Sequence, residues 1–177
     1  SISLGSSPLA DDAPSRGTVV FEKPGKMRWT YLEPAPSIVV SDGKILWIVD
    51  PVAKEAQRLS VSQGYLSGAA LVFMMGDGVI TDEFRVSLAT DTGAGGCAGE
   101  DPIALELHPI REATYERLGL TAKPDTGEIV STTIVDLFGN VTQVRFLDWR
   151  SNLDPEDATF VFDPGDEIRV IELGTPP

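Results

Sequence analysis

A single cysteine, a single histidine and a shortage of positive charge limit what this 177-residue chain can do. Cys97 has no partner for an internal disulfide or a cysteine metal cluster, so the redox compartment stays open. Its setting, the glycine loop "TDTGAGGCAGED", supplies no nearby base, and an inert thiol is expected. His108 stands in "LELHPI", at the end of an apolar run, where a structural or exposed role is expected. No second histidine completes a metal triad, and any Ser-His-Asp or Cys-His site would have to recruit this one. Lys and Arg number 14 against 27 Asp and Glu, a formal net charge of −13. Such a surface repels nucleic acid and anionic headgroups, which excludes partners of either kind held by charge, and it favours a dissolved monomer. No run of about eighteen apolar residues occurs, so no helical membrane span is expected. The glycine loop lacks the Lys-Ser/Thr pair and helix start of a phosphate loop. Acidic pairs such as Asp82-Glu83, Glu100-Asp101, Glu156-Asp157 and Asp166-Glu167 lack a calcium-loop spacing and read as solvated turns. No cofactor and no metal are expected.

What is present is β-rich text. With 42% hydrophobic and 23% charged residues and a mean hydropathy of +0.01, the chain can build a core, and its length suits one domain over 1–177. The opening "SISLGSSPLADD" reads as the end of a strand followed by a loop, with no signal peptide, as in a mature or trimmed chain. Turn signals then separate short runs read as strands over 17–22, 26–32, 37–41 and 44–50, with Pro24-Gly25 and Asp42-Gly43 as tight turns. Further strands are expected over 83–89, 102–109, 114–122, 128–136, 140–149, 158–164 and 167–173. Between them, "SQGYLSGAALVFMMGDG" (62–78) has helical spacing and no charge between Tyr65 and Gly76, which predicts a helix buried on several sides. The fold class is therefore mainly β (α+β). A strongly twisted antiparallel meander of this kind tends to curl toward a barrel, with an apolar helix over its concave face.

An apolar surplus remains once catalytic groups are set aside. In "KMRWTYL", Met27, Trp29 and Tyr31 share one strand face while Lys26, Arg28 and Thr30 take the other, which is expected to point outward on the convex side. Ile38 and Val40 share a face of the next strand, and Trp47 follows in "KILWIVD". Later, Phe84 opens a strand, and Val144 and Phe146 stand opposite Gln143 and Arg145 in parity. The expected helix adds Leu66, Phe73, Met74 and Met75, whose flexible thioethers suit a surface that repacks around varied guests. These thirteen positions read either as a packed β-core capped by a helix or as the candidate lining of an apolar cavity, and composition alone favours the packed core.

The residues that carry a family resemblance are "KPGKMRWTYLEP" (23–34), "IVVSDGKILWIVDP" (38–51), Gln57, "GDGVITDEFRV" (76–86), "LELHP" (105–109), "VDLFGNVTQVRF" (135–146) and "FVFDPGDEIRVI" (160–171). In this order the chain resembles the periplasmic outer-membrane lipoprotein carriers of Gram-negative bacteria, the LolA type. The resemblance implies an unclosed, strongly curved β-barrel with lid helices over a hydrophobic concave face, and a transport role without catalysis. It implies triacylated lipoproteins as cargo, an inner-membrane ATP-driven transporter as donor and an outer-membrane receptor as acceptor. By position it places Met27 at the cavity mouth, Trp29 in an aromatic wall and Lys23 as the basic latch of the lid. Lysine there replaces the usual arginine and lacks its planar fork of donors. The family's first lid helix is expected to be missing ahead of Gly17. Other readings on the same fold are the outer-membrane receptor and a general lipid or glycolipid binder; a lipid-directed hydrolase using His108 is the enzymatic alternative.

Overall fold

The computed structural model describes residues 2–6, 14–61, 80–89, 102–113 and 115–173, with side chains from 14 onward. In chain order its strands are β1 (Ile2–Ser6), β2 (Ser15–Glu22), β3 (Lys26–Glu33), β4 (Ser37–Asp42), β5 (Ile45–Asp50), β6 (Glu55–Ser60), β7 (Phe84–Leu88), β8 (Ile103–Pro109), β9 (Tyr115–Ala122), β10 (Ile129–Asp136), β11 (Val141–Phe146) and β12 (Arg169–Glu172). A short helix α1 (Ile80–Glu83) precedes β7, and a 3-10 turn, Asp157–Phe160, lies between β11 and β12. The mainly β expectation holds. The predicted helix over 62–78, with Leu66, Phe73, Met74 and Met75, lies outside the described residues, as does Cys97. The chain forms two compact units, Ser1–Pro14 with Gly78–Trp149 and Ser15–Asp77 with Arg150–Pro177.

In the second of these, β2 to β6 form an antiparallel meander. Turn chemistry sets its register. Asp42 Oδ1 accepts the N–H groups of Lys44 and Ile45, each at 2.8 Å, while Gly43 takes φ +91°, a conformation glycine adopts without a Cβ penalty. Ser41, fully buried, donates its hydroxyl to the Gly25 carbonyl at 3.1 Å and accepts the Gly43 N–H at 3.0 Å. One small polar side chain thus ties the Pro24-Gly25 turn to the Asp42-Gly43 turn.

Two expectations fail in this unit. The stretch 55–60, not read as a strand, is β6; its buried apolar residues Ala56 and Leu59 have opposite parity, so each serves a different face and no alternation shows. The stretch 158–164, read as a strand, is the 3-10 turn followed by irregular chain. Phe160 and Phe162 do alternate, but they anchor a segment that lies on the sheet instead of pairing with it. The sheet of this unit is not wholly antiparallel, since β12 joins the meander's edge strand β6 in parallel.

The other unit orders its strands β1-β11-β10-β9-β8-β7, all antiparallel. Register places Phe84, Leu107, Leu118 and Val144 on one face, all buried. Arg85, Ser87, Glu106 and His108 lie on the reverse.

Candidate functional site

Hairpin register assembles one continuous apolar face in the second unit. Phe21 stands opposite Met27, Val19 opposite Trp29 and Gly17 opposite Tyr31; Val39 stands beside Trp29 and Ser41 beside Met27. Leu46 and Ile48 on β5 continue the row, followed by Leu59 and Gln57 on β6. Met27, Leu46, Leu59 and Val61 form a buried cluster against which Trp29, Val39 and Leu173 pack. The Trp29 ring meets Phe21 edge-on at 6.3 Å between centroids and Tyr31 at 5.8 Å. Phe21 and Ile48 stay open, at 42% and 38% exposure. Burial pushes the Tyr31 phenol above its ordinary range, so it remains neutral. Away from the strand ends this face carries no charge. A Cβ on Gly17 would collide with the Thr30 carbonyl oxygen, so the β2–β3 approach beside Tyr31 requires glycine.

The opposite face of the same sheet is occupied by the chain itself. Val40, Val49 and Ala56 are buried there, and Phe160 is buried where the 3-10 turn packs over β3 and β4. Phe162 meets the Trp47 ring at a tilt, 5.4 Å between centroids, and Arg58 lies over the same indole at 5.8 Å. Lys26 and Arg28, expected to point outward on the convex side, lie on this face opposite Met27 and hold the segment. Lys26 Nζ bonds Asp157 at 2.6 Å and Glu22 at 2.7 Å, and Arg28 donates to the Thr159 carbonyl at 3.1 Å. The hydrogen bond to Asp157, then that to Glu22, raises the Lys26 pKa, and the same bond lowers that of Asp157.

Within this unit the register sorts six of the predicted lining residues between two faces. Met27, Trp29 and Tyr31 come together, whereas Ile38, Val40 and Trp47 fall on the reverse face, because alternate parity in β4 and the Asp42-Gly43 register send them there. Phe84, Val144 and Phe146 belong to the other unit, on one face of its sheet. Phe146 meets Trp149 edge-on at 5.9 Å. Phe21, Val39 and Leu46, which were not among the expected positions, share the face of Met27, and the Pro24-Gly25 and Asp42-Gly43 turns, carried through the pairing, specify their parity, whereas Leu59 joins them only through the β5–β6 pairing. Lys23 is exposed; its role as a latch has no partner among the described residues. His108 faces Glu106 at 3.6 Å and lines a shallow cleft of about 310 Å³ with Arg85, Val86 and Ser87. Among the described residues no cluster of His, Cys, Asp and Glu is suited to a metal ion, and no helix is long and apolar enough to cross a membrane.

Comparison with known proteins follows the same direction. The chain is 29% identical over 152 residues to an outer-membrane lipoprotein carrier protein of Dechloromonas aromatica (strain RCB), covering 85% of this chain and 68% of the relative. It is 26% identical over 160 residues to the protein of that name from Alkalilimnicola ehrlichii (strain ATCC BAA-1101 / DSM 17681 / MLHE-1), covering 90% and 69%. A structure of the Pseudomonas aeruginosa MucA/MucB complex shares the fold at a TM-score of 0.51 and 17% identity, covering 99% of this chain and 60% of that one. The family described as outer membrane lipoprotein carrier protein LolA matches residues 9–163, a span that takes in most of each unit and every described residue of the uncharged apolar face up to β6. The chain belongs to the LolA family of outer-membrane lipoprotein carriers, which are transport proteins and not enzymes.

Proposed function

We propose that the protein shields the acyl chains of triacylated lipoproteins in the periplasm and carries them from the inner to the outer membrane. It works as a monomer and as one carrier module, on the family's curved, unclosed sheet with lid helices. An inner-membrane ATP-driven transporter loads it, an outer-membrane receptor unloads it, and Lys23 latches the lid. The observation that carries this reading is the face of Phe21, Met27, Trp29 and Tyr31: aromatic, uncharged and partly open. The reverse face is already filled by Phe160 and Phe162. Support for a single module comes from the family match, which runs through both units.

Magnitudes limit how tightly such a face should hold its guest. At about 0.8 kcal/mol per CH₂, one acyl chain of about sixteen carbons gives roughly 12 kcal/mol if fully buried. Three such chains would pass the ceiling near 20 kcal/mol for non-covalent binding. A carrier must also let go, so burial is partial and the ordering of chains and lid offsets part of the gain. The test is capture of a triacylated lipoprotein by Met27→Glu and by Phe21→Glu, the latter at a more exposed site that tolerates a carboxylate. Both should lose at least about tenfold in affinity, the effect of placing one charge against a methylene chain. Capture equal to the unsubstituted chain by a folded Phe21→Glu protein would sink the assignment of this face.

A further inference from the structure

The β10–β11 hairpin turns through Asp136-Leu137-Phe138-Gly139-Asn140. Among the described large apolar side chains Phe138 is the most exposed, at 91%, and Leu137 beside it is 63% exposed. The turn that displays them is tightly organised by one carboxylate. Asp136 Oδ1 accepts the N–H groups of Phe138 and Asn140, each at 2.8 Å, and Oδ2 accepts from Asn140 Nδ2 at 2.7 Å. Gly139, at φ +83°, donates its N–H to the Asp136 carbonyl at 3.1 Å. The hydrogen bond from the Asn140 amide, with those from the turn backbone, holds the Asp136 carboxyl below its ordinary range, so its charge is engaged within the turn. The hairpin spends its polar groups on itself and leaves two apolar side chains facing water.

We propose that this tip is a membrane-contact point, with Leu137 and Phe138 entering the interfacial layer of a phospholipid bilayer of neutral headgroup charge. Two residues on one hairpin fall far short of the roughly 1,000 Å² that a stable protein interface buries. A bilayer needs no complementary pocket, and it accepts a lone aromatic and a leucine at the level of its headgroups. The net charge of −13 selects against anionic lipid surfaces. So small an anchor gives a weak and reversible attachment, letting the chain touch a membrane and leave it. The contact is made by a hairpin distinct from the acyl-shielding face, and it stands whether or not that face binds cargo.

The experiment is flotation of the full chain, free of cargo, with vesicles of phosphatidylcholine. The unsubstituted chain should partition measurably. Phe138→Ser should lower the partition coefficient by about tenfold or more, the effect of withdrawing one aromatic side chain from apolar surroundings, while Leu153→Ser, at a site 65% exposed elsewhere, should leave it unchanged. Phe21→Glu should float like the unsubstituted chain, which separates this contact from cargo shielding. If Phe138→Ser fails to fold, Phe138→Trp serves instead, its added indole emission being quenched by acyl chains brominated near the headgroup. No partitioning to neutral vesicles, equal losses for Phe138→Ser and Leu153→Ser, an unquenched indole at 138, or attachment that appears only when a receptor protein is added would each overturn the proposal.

Discussion

Single side chains decide which face of the second unit is closed. Lys26 sits between Glu22 and Asp157, and its parity, opposite to Met27, was plain in the alternation of "KMRWTYL". Its destination was not, because the partner lies far along the chain in an irregular segment that carries no periodic signal. The pair has a definite pH dependence. Asp157 is depressed by the hydrogen bond from Lys26, so its contribution is complete above the ordinary aspartate value of about 3.9 and is lost as pH falls through the lowered one. Lys26 is raised by the same contact, so its contribution is complete below about 10.4 and is lost only as pH rises through its raised value. Between those limits the C-terminal segment is held. In an NMR titration the amide resonances of Ala158 to Phe160 should move with a midpoint below 3.9, and Asp157→Asn should abolish that step. A step of the same midpoint surviving in Asp157→Asn would assign it to another group.

Elements were legible where apolar positions repeat and turns have their own chemistry, and they were lost where tertiary contact decides. The Pro24-Gly25 and Asp42-Gly43 turns fix β2 to β5, and with them the set facing Met27, from local chemistry alone. β6 exists because β5 has an edge to pair and because Ala56 and Leu59 each fill a different face, a pattern with no period of two. The Phe160 segment shows the reverse case: alternating aromatics that satisfy a side-chain pocket without a ladder. The element stands or falls on that one ring. Phe160→Ala should cost about 3–5 kcal/mol, the range for removing a buried phenylalanine, whereas Val161→Ala, at 59% exposure, should stay within about 0.5 kcal/mol. Urea unfolding followed by Trp fluorescence compares the two, with Trp47 reporting directly through its contact with Phe162. Equal and small losses would mean that the segment does not contribute to the closure of this face.

At the scale of the whole molecule, the proposed carrier role joins a net charge of −13, which disfavours self-association, to an uncharged apolar face that is partly open. The thirteen-residue lining read from the sequence was a list of apolar positions, and parity could not say which strands share a surface until pairing joined them. How many of these positions share one surface has a quantitative consequence for cargo. If all the predicted positions formed one deep wall, each added methylene of an acyl chain would contribute nearly its full ~0.8 kcal/mol, about a fourfold gain in affinity. If binding is instead restricted to the neighbourhood of Phe21, Met27, Trp29 and Tyr31, with Phe21 and Ile48 partly open, apolar contact runs out before the acyl chain ends. Titration calorimetry with triacylated lipopeptides of increasing acyl length should therefore show a gain per methylene that starts near fourfold and levels off among the longer chains. Because no charge lines the face away from the strand ends, these affinities should change little between low and physiological salt. A gain that stayed fourfold per methylene through the longest chains would mean that the binding surface is larger than this face and has to include residues from beyond it.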